Sequence, residues 1–264
     1  MDSVKKGLPG INIIASRGCP YNCSYCQPTL RMIFGSVVRK RSTRNIVDEL
    51  KFLKTRYGIT AFDLVDDTFV FDKKWVIDVC RNLIGEKLDL LWSCNSRANL
   101  VDEEMFSKMR ESGLRKVCMG MESGNQRVLD EIYQKGITIE QVKISVAILK
   151  RLKLKVQGYF MLGAPTETEK EIWKTIRFAV SLPIQEATFS ITTPLPGTYL
   201  WDKTKQYINK KVSEFDYYKT SVYSGGITLS EKKLNWLKRI AFISFYVTTQ
   251  ANSRSGFEKG LASG

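Results

Sequence analysis

Six short apolar runs, at residues 11–15, 61–65, 90–95, 116–121, 156–162 and 187–191, are separated by stretches in which apolar residues return every three or four positions. Runs of that length suit strands, and the period between them is that of helices with one face toward a core. The pattern predicts strands at the six runs and helices over 42–57, 73–84, 102–112, 125–132, 139–152 and 166–181. Strand and helix in alternation call for parallel strands joined by right-handed crossovers, so the expected class is α/β.

Several helix starts carry their own signals. Thr166 precedes Glu167 and Glu169, Asp102 precedes Glu103 and Glu104, and Thr138 precedes Ile139-Glu140. Such residues put a capping oxygen and negative charge where the first N–H groups of a helix point. Gly58 and Gly113 stand where helices stop. After Ile191 the pattern changes to Thr193-Pro194-Leu195-Pro196-Gly197, an aromatic segment ending at Tyr223, and Gly225-Gly226. Ser230 and Glu231 then open one helix over about residues 230–251, with Leu234, Leu237, Ala241 and Phe245 on its apolar side. The expected organisation is a core domain at 1–198 and a mainly helical extension at 199–264. Lys232, Lys233, Lys238 and Arg239 flank the apolar run, so a helix lying on a membrane surface is the alternative to a packed one.

At 264 residues the chain can bury a large core without staples. Met1 to Lys6 lack the apolar region of a secretory signal, and no apolar run is long enough to span a bilayer. A cytoplasmic setting is expected, where thiols stay reduced and clustered cysteines are metal ligands or redox groups. The formal charge of +14 raises nucleic acid or an anionic lipid surface as partners. Lys and Arg are spread along the chain, with one modest cluster at Arg39-Lys40-Arg41, and a solvated basic surface is the favoured reading. Histidine is absent, which removes His general bases, Ser-His-Asp and Cys-His nucleophiles, and His-ligated zinc or haem.

In parallel α/β proteins the working residues collect at the carboxyl ends of the strands. Those ends here carry Gly18-Cys19-Pro20-Tyr21-Asn22-Cys23-Ser24-Tyr25-Cys26, Asp66-Asp67-Thr68, Asn95-Ser96-Arg97, Glu122-Ser123-Gly124, Gly163-Ala164-Pro165-Thr166-Glu167 and Thr192-Thr193-Pro194. Three of the six cysteines fall within eight positions. Structural zinc takes four protein ligands, and no fourth cysteine lies near in sequence. An iron–sulfur cubane held by three thiolates keeps one iron open for a substrate or cofactor. Cys80, Cys94 and Cys118, on a helix and two strands, read as buried apolar side chains, and Tyr159, Phe160 and Tyr199 read as core.

The CxxxCxxC spacing, with Tyr25 before the last cysteine and a β/α series behind it, resembles the radical S-adenosylmethionine (SAM) superfamily. The blocks Asp66 to Phe69, Ser96-Arg97, Gly120 to Gly124, Lys135 to Thr138, Gly158 to Gly163 and Pro194 to Thr198 look like those of its cobalamin-binding group. The likeness runs from about residue 9 to 197 and, more weakly, to 246. It implies a partial (β/α)6 barrel of parallel strands, a 4Fe-4S cluster on Cys19, Cys23 and Cys26, and SAM bound at the open iron. One electron, from a donor such as a flavodoxin or ferredoxin, would cleave the sulfonium to methionine and a 5'-deoxyadenosyl radical that takes hydrogen from the substrate.

The other strand ends then acquire a ligand. Asp66 or Asp67 would accept from the SAM ammonium, Arg97 would pair with its carboxylate, Glu122 and Ser123 would bind the ribose or carboxylate region, and the backbone at Gly163 would edge the adenine. Structural alternatives stand beside these: Asp67 caps a loop, Arg97 pairs with a helix acid, and Glu122 holds Ser123-Gly124 in a turn. Members of the cobalamin-binding group usually carry a cobalamin domain before the cysteine loop, whereas here a handful of residues precede the first strand. Three arrangements stay open: a catalytic core cut from a longer chain, a cobalamin domain on a separate subunit, or an enzyme that works without cobalamin.

Three functions follow. The first is a radical enzyme acting on an unactivated carbon, including a cobalamin-dependent C-methyltransferase. The second is an RNA-modifying enzyme of methylthiotransferase type; the basic charge favours it, and the want of a second cysteine trio and of an RNA-binding β-barrel opposes it. The third is a non-catalytic iron–sulfur or zinc scaffold that holds nucleic acid.

Overall fold

The computed structural model describes residues 9–26, 33, 35–216, 221–223 and 226–261. Met1 to Lys6 and Gly225, used above, lie outside the described residues. In chain order the elements are β1 (Gly10–Ile13), β2 (Ser16–Arg17), β3 (Arg39–Lys40), α1 (Thr43–Tyr57), β4 (Ala61–Leu64), α2 (Lys73–Gly85), β5 (Leu91–Ser96), α3 (Glu103–Glu111) and β6 (Leu114–Glu122). There follow α4 (Ile139–Arg151), β7 (Lys155–Leu162), α5 (Glu169–Ser181), β8 (Glu186–Ile191), α6 (Tyr199–Thr204) and α7 (Glu231–Leu261). The six expected strands form one sheet in the order β1-β4-β5-β6-β7-β8, a parallel arrangement with helical crossovers that is a partial (β/α)6 barrel with a mainly helical carboxy-terminal part.

The caps explain where the helices begin. Ser42 accepts from Asn45 N–H, Asp72 from Trp75 and Asp102 from Met105. Gly58, at φ 64°, ends α1 and returns its N–H to Lys54. Three elements differ from the sequence expectation. α5 starts at Thr168, not Thr166: Thr168 and Glu171 form a capping box, and Glu167 is drawn away to another task. The stretch expected as a helix over 125–132 contains a π-turn, Val128–Ile132. The last helix runs ten residues further than expected, to Leu261. The ribbon of β2 and β3, two residues each and antiparallel, was not foreseen, because strands that short carry no period.

Two compact units divide the chain. The first comprises Met1–Tyr21, Pro28–Gly120 and Glu140–Gln157. Its strands alternate: Phe62, Leu64, Trp92, Cys94, Val117 and Met119 are buried, while the residues between them are partly exposed. Phe62 stacks on Trp92 with centroids 5.8 Å apart, and Phe69 meets the same indole edge-on at 6.0 Å. Each such side chain contributes about 1.5–3 kcal/mol by leaving water. The opposite face is polar: Asp63 pairs in register with Ser93, and Ser93 with Lys116, while Asn95 pairs with Cys118. A parallel sheet covered on both faces would be apolar throughout, so this alternation marks a face kept for something other than packing. Cys118 belongs to it: the thiol is half-buried and donates to Gln157 Oε1 at 3.7 Å, so it is not the fully buried thiol expected.

The second unit comprises Asn22–Gln27, Met121–Ile139 and Gly158–Gly264. Phe160 stacks on Phe189 at 5.3 Å, and α7 packs on α5 and β8 through Leu234, Leu237, Ala241 and Phe245, all buried. Packing is therefore the fate of that side of the helix, and among the described residues no helix is long and apolar enough to cross a membrane. Tyr159 and Tyr199 are 36% and 50% exposed, unlike the buried Phe160, so two of the three aromatics read as core are not.

Candidate active site

In the first unit the site is built around the turn that leaves β1. Asp66, at the end of β4, is buried, and its carboxylate accepts from Ala15 N–H at 3.0 Å and from both the N–H and the hydroxyl of Ser16. Burial pushes its pKa up against the pull of these bonds. Asp66 thus ties the start of the cysteine loop to the sheet, with its donors supplied from within the protein. Asp67 reaches the loop itself, accepting from Gly18 N–H, and burial raises its pKa too. Gly18 has φ 99°, and a Cβ there would lie 2.6 Å from the Val37 carbonyl oxygen, so only glycine fits before Cys19. Thr68 Oγ1 stands 3.4 Å from Cys19 Sγ and donates to Asp67 O at 2.7 Å. Arg97 is buried with its guanidinium 3.6 Å from the centroid of the Tyr21 ring, and its Nε donates to Asn99 Oδ1. The unit therefore gathers Cys19, Thr68 and Asp67 at one place, and sets Arg97 on an aromatic of the same loop.

In the second unit the tip of the cysteine loop is gripped by the segment around the π-turn. Ser24 donates its N–H to Tyr133 O at 2.9 Å and its hydroxyl to Ile132 O, and its own carbonyl accepts from Leu200 N–H at 2.8 Å. Cys26 N–H closes the hairpin on Cys23 O at 3.2 Å. Tyr25 meets Tyr133 edge-on at 5.2 Å and donates to Glu122 Oε1 at 2.8 Å. Burial first, and then the Glu122 carboxylate, hold the Tyr25 hydroxyl far above its usual pKa, so it acts as a donor. Lys135 Nζ reaches Glu122 Oε1 and the Tyr25 hydroxyl, each at 2.9 Å.

The remaining expected residues have other partners. Ser123 is buried, with its hydroxyl 3.0 Å from Thr175 Oγ1 and accepting from Asn125 N–H. Gly163 has φ 77°; its N–H goes to Glu167 Oε2 at 2.7 Å, its carbonyl accepts from Thr228, and a Cβ would meet Leu234 at 2.7 Å. Glu167 also takes Ala164 N–H at 2.9 Å, and burial pushes its pKa up to about 7. Sequence reasoning missed Lys135, Ser24 and Glu167 as organisers of this region. Lys135 could have been suspected only by asking what neutralises a buried glutamate. The spacing of Glu167 mimics a first-turn helix acid, whereas its carboxylate accepts from the Gly163 and Ala164 N–H groups.

Whether these residues suit an iron–sulfur cluster can be judged from the two sets of cysteines. Cys19, Cys23 and Cys26 are unbridged and reach the surface in part, on a loop fixed by main-chain bonds. Cys80 and Cys94 are buried, which pushes the Cys80 thiol up to about 12 and that of Cys94 well above its ordinary value. A thiol that resists ionisation is a poor ligand, because the thiolate binds metal. Among the described residues no three Cys, Asp or Glu side chains close on one ion. A cubane does not ask for that, since each thiolate binds its own iron. The loop trio fits such a cluster; the core thiols do not.

A parallel sheet with three thiols on the loop after its first strand defines a class. The sequence profile of the Radical SAM superfamily matches residues 13–179, and the chain belongs to that family. Among known proteins, an uncharacterized methyltransferase of Pyrococcus horikoshii is 36% identical over 262 residues, covering 98% of this chain and 56% of the relative. The anaerobic magnesium-protoporphyrin IX monomethyl ester cyclase of Rubrivivax gelatinosus is 31% identical over 206 residues, covering 77% of this chain and 36% of its own. The chain thus spans between about a third and a little over half of these relatives. Among solved structures, the radical SAM methyltransferase TsrM of Kitasatospora setae, with cobalamin and a [4Fe-4S] cluster bound, superposes with a TM-score of 0.67 at 20% identity, covering 75% of this chain and 37% of that one. That likeness concerns the fold.

Proposed function

We propose that the chain is the catalytic core of a radical SAM enzyme that modifies an unactivated carbon, with methyl transfer as the reaction class. The observation that carries this is the loop trio: three accessible, unbridged thiols at a strand end in a protein whose buried thiols are held un-ionised. Cys19, Cys23 and Cys26 would hold the 4Fe-4S cluster, which when reduced supplies one electron to cleave bound SAM into methionine and a 5'-deoxyadenosyl radical. The protein's own part is placement. Asp66 fixes the start of the loop, Ser24 fixes its tip, and Gly18 lets the backbone turn between them. Thr68 has a rotatable hydroxyl near Cys19 Sγ that can donate to a thiolate. Asp66 is already bonded to Ala15 and Ser16, so in place of the role expected for it Glu122 would accept from the SAM ammonium rather than bind the ribose or carboxylate region, with Asp67 a second acceptor beside the loop and Arg97 the partner for an anionic group. The 1–198 core would bear these groups, with 199–264 as an extension.

Methyl transfer is supported by the Pyrococcus relative, which is named a methyltransferase, and by TsrM, which is a methyltransferase described with cobalamin. Cobalamin would be supplied by a further domain or by a separate chain, and the electron would come from a flavodoxin or ferredoxin type of donor. Anaerobic reconstitution with iron and sulfide, followed by dithionite and SAM, tests the reading. The expected products are 5'-deoxyadenosine and methionine, and S-adenosylhomocysteine on addition of cobalamin and substrate marks methyl transfer. Protein that holds four irons per chain and yields no 5'-deoxyadenosine refutes the proposal.

A further inference from the structure

Glu122 sits in a conformation that its residue type avoids. Its φ is 61°, in the left-handed region, which costs a non-glycine residue on the order of 1–3 kcal/mol and persists only where surroundings over-determine it. The surroundings here are two donors converging on one oxygen. Tyr25 and Lys135 both bond Oε1, at 2.8 and 2.9 Å, and each other at 2.9 Å, in a cluster whose acid and ammonium are each 8% exposed at the side chain. Among the described residues, the side-chain bonds to this carboxylate go to Oε1. Lys135 cancels the charge of the buried carboxylate, and losing one partner of such a pair leaves the other uncompensated.

The two donors arrive from different places. Tyr25 lies between Cys23 and Cys26 on the loop tip, and Lys135 follows Tyr133 by two residues on the segment whose carbonyls hold Ser24. A residue that merely locked the loop would need no carboxylate. A carboxylate that merely paired with Lys135 would need no tyrosine from the loop. The three together make the direction of Glu122 depend on where the loop tip stands.

We infer that Tyr25 and Lys135 are positioning residues for Glu122, and that Tyr25 makes the SAM-binding carboxylate responsive to the seating of the cysteine loop. This rests on the function proposed above. Its consequence is a link between the two cofactors: the loop tip that carries Cys23 and Cys26 also aims Glu122 through the Tyr25 hydroxyl, so losing that one bond weakens the grip on SAM without removing a cluster ligand.

The test compares Tyr25→Phe, which removes one hydroxyl and keeps the ring, with Lys135→Met and Lys135→Arg. Iron content, SAM affinity by equilibrium dialysis, and the EPR signal of the reduced cluster with and without SAM are measured on reconstituted protein. Tyr25→Phe should keep its iron and its SAM-free signal, and bind SAM about tenfold more weakly, the scale of one hydrogen bond to a charged group. Lys135→Met should weaken SAM further at unchanged iron, and Lys135→Arg should restore part of the loss. Tyr25→Phe with wild-type SAM affinity overturns the inference. So does Tyr25→Phe that loses its iron, because the tyrosine is then a lock for the loop. Wild-type protein that holds the cluster and binds no SAM overturns the functional reading, and this inference with it.

Discussion

Cys19, Cys23 and Cys26 share a chain with Cys80 and Cys94, and the side chain is the same; only the surroundings differ. The first three lie on a strand-end loop whose main chain is held by Asp66 and Asp67 near its start and by Tyr133 and Leu200 at Ser24. The other two are enclosed by α2 and β5, where burial holds them as thiols. Placement at the carboxyl end of a strand, with carboxylates spent on the backbone of the loop, separates a ligand from a core residue. Cys118 stands between the two sets, half-buried on the polar face of β6.

That contrast can be broken most decisively by iron. Cys23→Ser should lose the iron and sulfide of reconstituted protein almost entirely while melting like cluster-free wild type. Cys94→Ser should keep the full complement and lose about 1–3 kcal/mol of stability, since a hydroxyl in an apolar site lacks a partner. Equal loss of iron in both would erase the distinction.

The next largest effect concerns how the loops are held. Glu167 binds two amides with a carboxyl whose pKa is raised to about 7 from 4.5. A folded value above the unfolded one stabilises the protein fully below the unfolded pKa, and that contribution is lost as pH rises through the folded one. Stability should fall between pH 4.5 and 7, by about 3 kcal/mol from this group, and denaturant titrations of Glu167→Gln should lose that part of the fall while any part from the raised Asp66 and Asp67 carboxyls remains. Glu171, lowered to about 2 by Arg127, acts at lower pH and leaves the window clear. Asp66→Ala follows, at about 1–3 kcal/mol for the unsatisfied N–H groups of Ala15 and Ser16, with slower cluster uptake as a second readout. The smallest effect is on reactivity: in cluster-free native protein, iodoacetamide should label the loop cysteines and leave Cys80 and Cys94 unmodified by mass spectrometry.

The strands and most helices were legible because burial imposes a period, and the cysteine loop because its spacing is rare and local. The pairing of Glu122 with Lys135 and Tyr25 was not, since it joins residues far apart in sequence on a loop, a strand end and the segment after a π-turn. Asp66 and Asp67 could not be separated from sequence, being adjacent acids. The structure gives Asp66 to the turn after β1 and sets Asp67 against Gly18, a difference made by which way one strand-end residue points. The helix start at Thr166 failed for a similar reason: two threonines, each followed by an acid, compete for the cap, and the tertiary task of Glu167 decides between them.

The central claim is that three thiolates fix the cluster and leave one iron for SAM. Mössbauer spectra of protein reconstituted with isotopically enriched iron, recorded with and without SAM, address it directly. The account predicts a four-iron cluster in which one iron alone changes its signature when SAM is added. Four irons indifferent to SAM, or a site filled by zinc in place of iron, would contradict it.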